Sequence, residues 1–317
     1  MVTPSGTTVG SVGELATIDR ITAGLTMGPA VAVGPGDDGA VFLLNGSAVA
    51  STDTLVESVH FRRDWVSAEK LGRRAVACAA ADIEAMGARQ GFLLTAVSVP
   101  SETPVSWLDD LARGIRSECE LAEASWVGGD LTRGPQITVT VTVVGELRGR
   151  APVLRSGANP GDVVAYRGRL GWSAGGLAVL SRGFRSPRAL VEAYQYPQVG
   201  YGTGAEAQAA GATAMADVSD GLIADLGHIA AASEVQVDID TARFDIPEPL
   251  RAVAAATGSD PLRFILTGGE DHALVATFPF GQVPPEWQVI GTVAEGEPCV
   301  LVDGETSEAS GWDHFRS

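Results

Sequence analysis

Lysine is almost missing from this chain: Lys70 is the only one among 22 Lys+Arg residues. That scarcity excludes a G-x-x-x-x-G-K-[ST] phosphate loop and leaves a single candidate for Schiff-base chemistry. Cysteine is also sparse. Cys78, Cys119 and Cys299 are odd in number and far apart, which argues against a disulfide framework or a zinc cluster and for a reduced, cytoplasmic protein. No apolar run approaches the length of a bilayer span. The stretch MVTPSGTTVGSVGELATIDR lacks the basic start and apolar core of a signal peptide, so no membrane partner is expected. Positive charge is in deficit, 22 basic against 39 acidic residues for a net charge of -17, which argues against nucleic acid as a partner. A protein of this composition that handles phosphate must use arginine, backbone amides and metal ions.

The 317 residues can bury a large core and are long for one domain. The polar segment RGRAPVLRSGANPGD lacks periodicity and places a boundary near residue 150, giving domains 1–150 and 151–317. Both halves mix strand-like and helix-like runs, an α/β or α+β pattern. Strands are expected at Ala40–Leu44, Ser47–Thr52, Gly91–Val99 and Ile137–Val144. Asp162–Tyr166, Thr213–Val218, Val235–Ile239, His272–Phe278 and Gln288–Val293 read the same way. Helices are expected at Ala68–Met86, Val105–Ala124, Ser173–Ser181 and Leu222–Ala232.

The stretch GPGDDGAV satisfies G-x-G-x-x-G, but it opens onto AVFLLNGSAVAST. That reads as a β-hairpin turning at Asn45-Gly46, not as the helix a dinucleotide fingerprint requires. Asp37 and Asp38 would repel a pyrophosphate unless a cation lay between them. Taken alone, this loop is ordinary turn chemistry.

The placement of the other acids gives the stronger signal. GDDGAV, ASTDTLV, WVGGDLTRG, MADVSDGL and LTGGEDHAL each set Asp or Glu beside Ser, Thr or Gly at the junction of an apolar strand-like run. The acids are Asp37, Asp38, Asp53, Asp130, Asp217, Asp220, Glu270 and Asp271. Strand ends are where α/β proteins build sites. Asp220 or Ser219 serves equally well as a cap for the following helix. Asp82 sits mid-helix among Cys78, Ala79, Ala85 and Met86, a stripe expected to be buried, where an unpaired carboxylate is costly. Oxygen donors dominate this set, which suits Mg²⁺ or Mn²⁺ and metal-assisted phosphoryl transfer.

The motifs GPGDDGAV, STDTLVESVHF, DIEAMGA, GGDLTRG, LRSGANPGD, DVSDGLIADLGHI, TGGEDHAL and GWDHF occur in an order that resembles the thiamine-monophosphate kinase family. This family lies within the aminoimidazole-ribonucleotide-synthetase-like superfamily, and the likeness runs from about residue 34 to the C-terminus. It implies an N-terminal α/β domain whose mixed sheet pairs across a homodimer, and an α/β C-terminal domain. It implies in-line transfer of the γ-phosphoryl of ATP to thiamine monophosphate with several Mg²⁺ ions and no protein nucleophile. By the same resemblance, Asp38, Ser51, Thr52, Asp53, Asp82, Asp130, Asp217 and Asp220 match metal ligands. Gly129, Asp130, Arg155 and Ser219 match nucleotide contacts. His60, Glu270 and Trp312 match contacts to the thiamine phosphate, Trp312 standing where relatives often have another aromatic.

Overall fold

The computed structural model describes residues 6–306; Trp312 lies outside them. The chain divides into two compact units, the first comprising 1–80 and 90–149, the second 81–89 and 150–317.

The first unit runs α1 (Val9–Val12), α2 (Glu14–Thr22), β1 (Val31–Val33), β2 (Val41–Phe42), β3 (Ala48–Val56), α3 (Ala68–Ala85), β4 (Arg89–Val99), α4 (Val105–Leu121), β5 (Ser125–Arg133) and β6 (Thr138–Glu146). The last five residues of α3 group with the second unit. A four-stranded sheet takes the order β3-β6-β4-β5, with β3 and β6 antiparallel and β4 and β5 parallel. The alternation of β6 explains its placement. Val139, Val141 and Val143 are fully buried, while Thr138, Thr140 and Thr142 line the opposite, half-open face.

The expected hairpin at Asn45-Gly46 is corrected. That turn joins β2 to β3, but β2 pairs with β1 in a two-stranded ribbon and β3 pairs with β6. Nine residues of β3 find a full-length partner in β6, which the two-residue β2 cannot supply.

The second unit continues with β7 (Val163–Arg167), α5 (Trp172–Ser181), α6 (Arg188–Gln195), α7 (Thr203–Ala209), β8 (Ala214–Val218), α8 (Leu222–Ser233), β9 (Gln236–Ile239), α9 (Glu248–Thr257), α10 (Pro261–Thr267), β10 (Ala273–Phe278), β11 (Gln288–Ala294), β12 (Cys299–Val302) and β13 (Glu305–Thr306). The strands form a seven-stranded sheet in the order β13-β12-β9-β11-β7-β10-β8. It is antiparallel except where β12 runs parallel to β9. Strand β10 is buried at every position, and the ring of Phe278 at its end meets that of Trp287 edge to face. Strand β8 lies at the sheet edge and is buried at every position, so a polar group on it is held in a low-dielectric setting.

Asp82 is half-buried rather than buried, and the fully buried acid of this helix is Glu84. Two residues along an α-helix turn a side chain by about 200°, so the two carboxylates face different neighbours. Glu84 accepts hydrogen bonds from the amides of Gly202 and Gly204 at the start of α7, at 2.8 and 2.7 Å. Removing it leaves two N–H groups, that of Gly204 buried and that of Gly202 partly so, without that acceptor. Glu84→Ala is therefore expected to cost about 2–4 kcal/mol of stability. Urea unfolding checks this, and a loss below about 1 kcal/mol would mean that water replaces the carboxylate.

Candidate active site

In the first unit the GDD loop, β4, β5, α2 and α4 enclose a cavity of about 580 Å³. Ile18, Leu108, Leu111, Ile115 and Trp126 give it apolar walls, and Asp37, Asp38, Gly129 and Asp130 line it too. Asp38 and Asp130 are both exposed, and the Asp38 amide donates to Asp37 Oδ1 at 2.9 Å. The register of β4 against β5 slips by one residue between Leu93↔Trp126 and Leu94↔Gly128, which makes a bulge at Val127. Just after it β5 presses against β4 so closely that a Cβ on Gly129 would stand 2.1 Å from the Thr95 carbonyl oxygen. Glycine is thus required where the strand re-aims Asp130.

Asp53 and Asp130 lie inside β3 and β5 rather than at their ends, which corrects the junction reading. Asp53 stands opposite Val141 and Asp130 opposite Ala96. The Thr52 hydroxyl meets the Thr142 hydroxyl at 3.0 Å, and Thr142 also lines the cavity. Ser51 and Asp53 project from the other face, because successive strand residues alternate. The three side chains of Ser51-Thr52-Asp53 therefore do not converge. His60 is half-buried and accepts the Val56 amide on Nδ1 at 3.0 Å, which places the proton of the neutral ring on Nε2. Cys119 is no nucleophile, because burial pushes its thiol up to about 12.

The second unit holds the other group. Asp217, near the end of edge strand β8, is buried, and its Oδ2 lies 3.0 Å from His272 Nδ1. The segment Thr267–His272 folds back over the end of β8. Glu270 donates its amide to the Ser219 carbonyl at 2.8 Å, and His272 donates to the Val218 carbonyl at 2.9 Å. A Cβ on Gly269 would stand 2.4 Å from Ser219 O, so this overlay also requires glycine. Asp271 is buried between them and accepts the amides of Gly171 and Ser173 at the start of α5, at 2.5 and 2.8 Å. Asp225, in the first turn of α8, accepts the amides of Asp220 and Gly221, both at 3.1 Å. Ligand atoms of Asp220, Asp225 and the exposed His228 lie within 4.8 Å of one another. Arg155 is exposed, and its carbonyl accepts the Ser233 hydroxyl at 3.0 Å.

Burial, with the negative charge of Asp217 adding to it, lifts Asp225 to about 7. Burial, against two amide donors that lower it, lifts Asp271 to about 7. Both folded values exceed the unfolded one, so the native state binds more protons than the unfolded chain between roughly pH 4 and 7. Stability must then fall as pH rises through that window. Between pH 5.5 and 8 each group should cost about 2 kcal/mol in the metal-free protein. Urea unfolding in EDTA at the two pH values measures the slope, and Asp225→Asn should roughly halve it; an unchanged slope would overturn this assignment.

The sequence singles out Asp271 among its candidate acids but not Asp225, and the structure occupies both with backbone amides. The signal for Asp225 is an acid inside an apolar run, the same signal that marks Asp82. The remaining acids, Asp38, Asp53 and Asp130 in one unit and Asp217 and Asp220 in the other, offer carboxylate oxygens. Crowding of Asp217, Asp220 and Asp225 is the charge imbalance that a hard divalent cation relieves, so these residues fit Mg²⁺ or Mn²⁺.

The family models described as AIR synthase related protein, N-terminal domain and C-terminal domain, match residues 36–147 and 159–304. A thiamine-monophosphate kinase of Mycobacterium tuberculosis (strain H37Rv) is 47% identical over 311 residues, 97% of this chain and 93% of that protein. One of Corynebacterium glutamicum is 42% identical over 324 residues, 98% of this chain and 96% of the other. Among solved structures, AaThiL complexed with AMPPCP and TMP superposes with a TM-score of 0.81 at 31% identity, covering 96% of this chain and 97% of that one. Hydrogenase maturation protein HypE, at 17% identity and a TM-score of 0.75, shares the fold.

Proposed function

The chain belongs to the thiamine-monophosphate kinase family, and from that premise we propose that it transfers the γ-phosphoryl group of ATP to thiamine monophosphate, the last step in making thiamine pyrophosphate. An oxygen of the acceptor phosphate attacks Pγ. The bond from Pγ to the β–γ bridging oxygen breaks, and ADP leaves. The attacking oxygen is already anionic, so no general base is needed, and positioning with charge neutralisation does the work.

The observation that carries this reading is the cavity of the first unit, where an apolar recess large enough for a base adjoins Asp37, Asp38, Gly129 and Asp130. Apolar walls suit a purine ring, and the carboxylates suit the metal-bound phosphates at its end. Asp38, Ser51, Thr52, Asp53, Asp82, Asp130, Asp217 and Asp220 are the proposed metal set. Thr52 serves through its backbone or its Thr142-paired hydroxyl, since its side chain faces away from Asp53. Mg²⁺, when bound, neutralises polyphosphate charge and stabilises the leaving oxygen. Gly129, Asp130, Arg155 and Ser219 are proposed to contact the nucleotide. The exposed Arg155 is able to fork onto a phosphate. His60 would offer its Nε2 proton to the thiamine phosphate. Glu270, held at φ 66, and Trp312 complete the proposed acceptor contacts.

Among the described residues no helix is long and apolar enough to cross a membrane. A cytoplasmic location and a homodimer remain part of the proposal. The half-open face of the four-stranded sheet, bearing Thr52, Thr140 and Thr142, supports the dimer, and light scattering on the eluted protein tests it. The test of function is mass analysis of products from ATP, Mg²⁺ and thiamine monophosphate, with aminoimidazole precursors as controls. Thiamine pyrophosphate is expected, and its absence would overturn the reading.

A further inference from the structure

His272 has no part in the proposed ligand set, yet the backbone around it is held at some cost. Both Glu270 and His272 adopt left-handed backbone, at φ 66 and 51. Such conformations in non-glycine residues persist where the surroundings over-determine them. Here the surroundings are explicit. The amides of residues 270 and 272 are fixed on the Ser219 and Val218 carbonyls, and Asp271 between them is fixed on the start of α5. The result of these anchors is that the imidazole meets Asp217 at 3.0 Å, with both groups buried.

We propose that His272 is a positioning residue that holds the Asp217 carboxylate in the rotamer that binds a divalent cation. The inference rests on the reading of Asp217 as a metal ligand. Nδ1–H donates to Oδ2 and stops the carboxylate from turning, which leaves Oδ1 and the second lone pair of Oδ2 for the ion. A carboxylate on a buried edge strand has no water to orient it, so an orienting donor must come from the protein. Outer partners of this kind typically change metal affinity by roughly 10–100-fold.

The test compares three proteins by calorimetric titration of Mn²⁺ in the presence of a non-hydrolysable ATP analogue, with circular dichroism and melting as controls. His272→Phe keeps a flat ring but has no donor, and should weaken Mn²⁺ binding about 10-fold or more. His272→Asn places an amide donor where Nδ1 stood and tolerates left-handed backbone, so it should bind within about 3-fold of wild type. In turnover, His272→Phe should raise the half-saturating Mg²⁺ concentration more than it lowers kcat. Wild-type affinity in His272→Phe, or His272→Asn as weak as His272→Phe, would overturn the proposal. Should His272→Phe fail to fold, His272→Gln, whose donor sits one bond further out, takes its place with the same expected weakening. Failure of wild type itself to bind Mn²⁺ would instead refute the metal reading of Asp217.

Discussion

Asp130→Asn and Asp53→Asn are each expected to lower the rate of thiamine monophosphate phosphorylation by about 10³-fold or more, close to 4 kcal/mol of transition-state stabilisation. Asparagine matches aspartate in shape and keeps one carbonyl oxygen, so the exchange removes charge and little else. Asp130 is exposed in β5, where the bulge at Val127 and the close approach of Gly129 to β4 set its direction without help from its carboxylate. Asp53 accepts the Thr54 amide on Oδ1 at 2.7 Å, a bond that asparagine also makes. Both strands keep their register whatever these side chains carry. Circular dichroism and melting temperature should stay at wild-type values while product formation collapses. A variant within tenfold of wild-type activity would reduce that residue to a structural role.

Long periodic elements are legible in the sequence, and short ones stay hidden. The alternation in ITVTVTVV announces β6, and the apolar runs at 91–99 and 105–124 announce β4 and α4 within a few residues. β5 is harder. Its Gly128-Gly129 pair interrupts the strand pattern, and the structure uses that interruption as a bulge that directs Asp130. α9 and α10 escape the periodicity, although the second carries a plain start signal, Asp260 capping the Leu262 amide with Pro261 at the first helical position. The candidate acids are legible because Asp and Glu beside Gly and Ser stand out against apolar runs. Their directions are not legible. Facing depends on the pairing partner of β3, which lies some ninety positions away in β6, and no local pattern reports it. The same limit misplaces burial on α3, where the amides that take up Glu84 come from the distant α7.

Chelation should abolish turnover, Mg²⁺ or Mn²⁺ should restore it, and Ca²⁺ should not, leaving about 10³-fold less activity at saturating ion. The proposed donors are all oxygen, so Ca²⁺ will bind; the difference lies in the geometry each ion imposes. Ca²⁺ takes six to eight oxygens at 2.3–2.6 Å, whereas Mg²⁺ holds an octahedron at 2.0–2.1 Å. A site on flexible loops could expand to accept the larger ion. Asp38 sits on a loop, but Thr52, Asp53 and Asp130 are mid-strand. Their Cα positions are fixed by pairing with Thr142, Val141 and Ala96. A donor set anchored to a sheet cannot spread evenly, so a larger ion must displace the phosphates instead, and a displacement near 1 Å is enough to lose in-line geometry. Steady-state rates in each ion, with nucleotide affinity measured in parallel, separate binding from transfer. Tight nucleotide binding with no transfer in Ca²⁺ is the expected result. Comparable rates in Ca²⁺ and Mg²⁺ would mean that the strand-borne carboxylates do not set the geometry of the reacting phosphates.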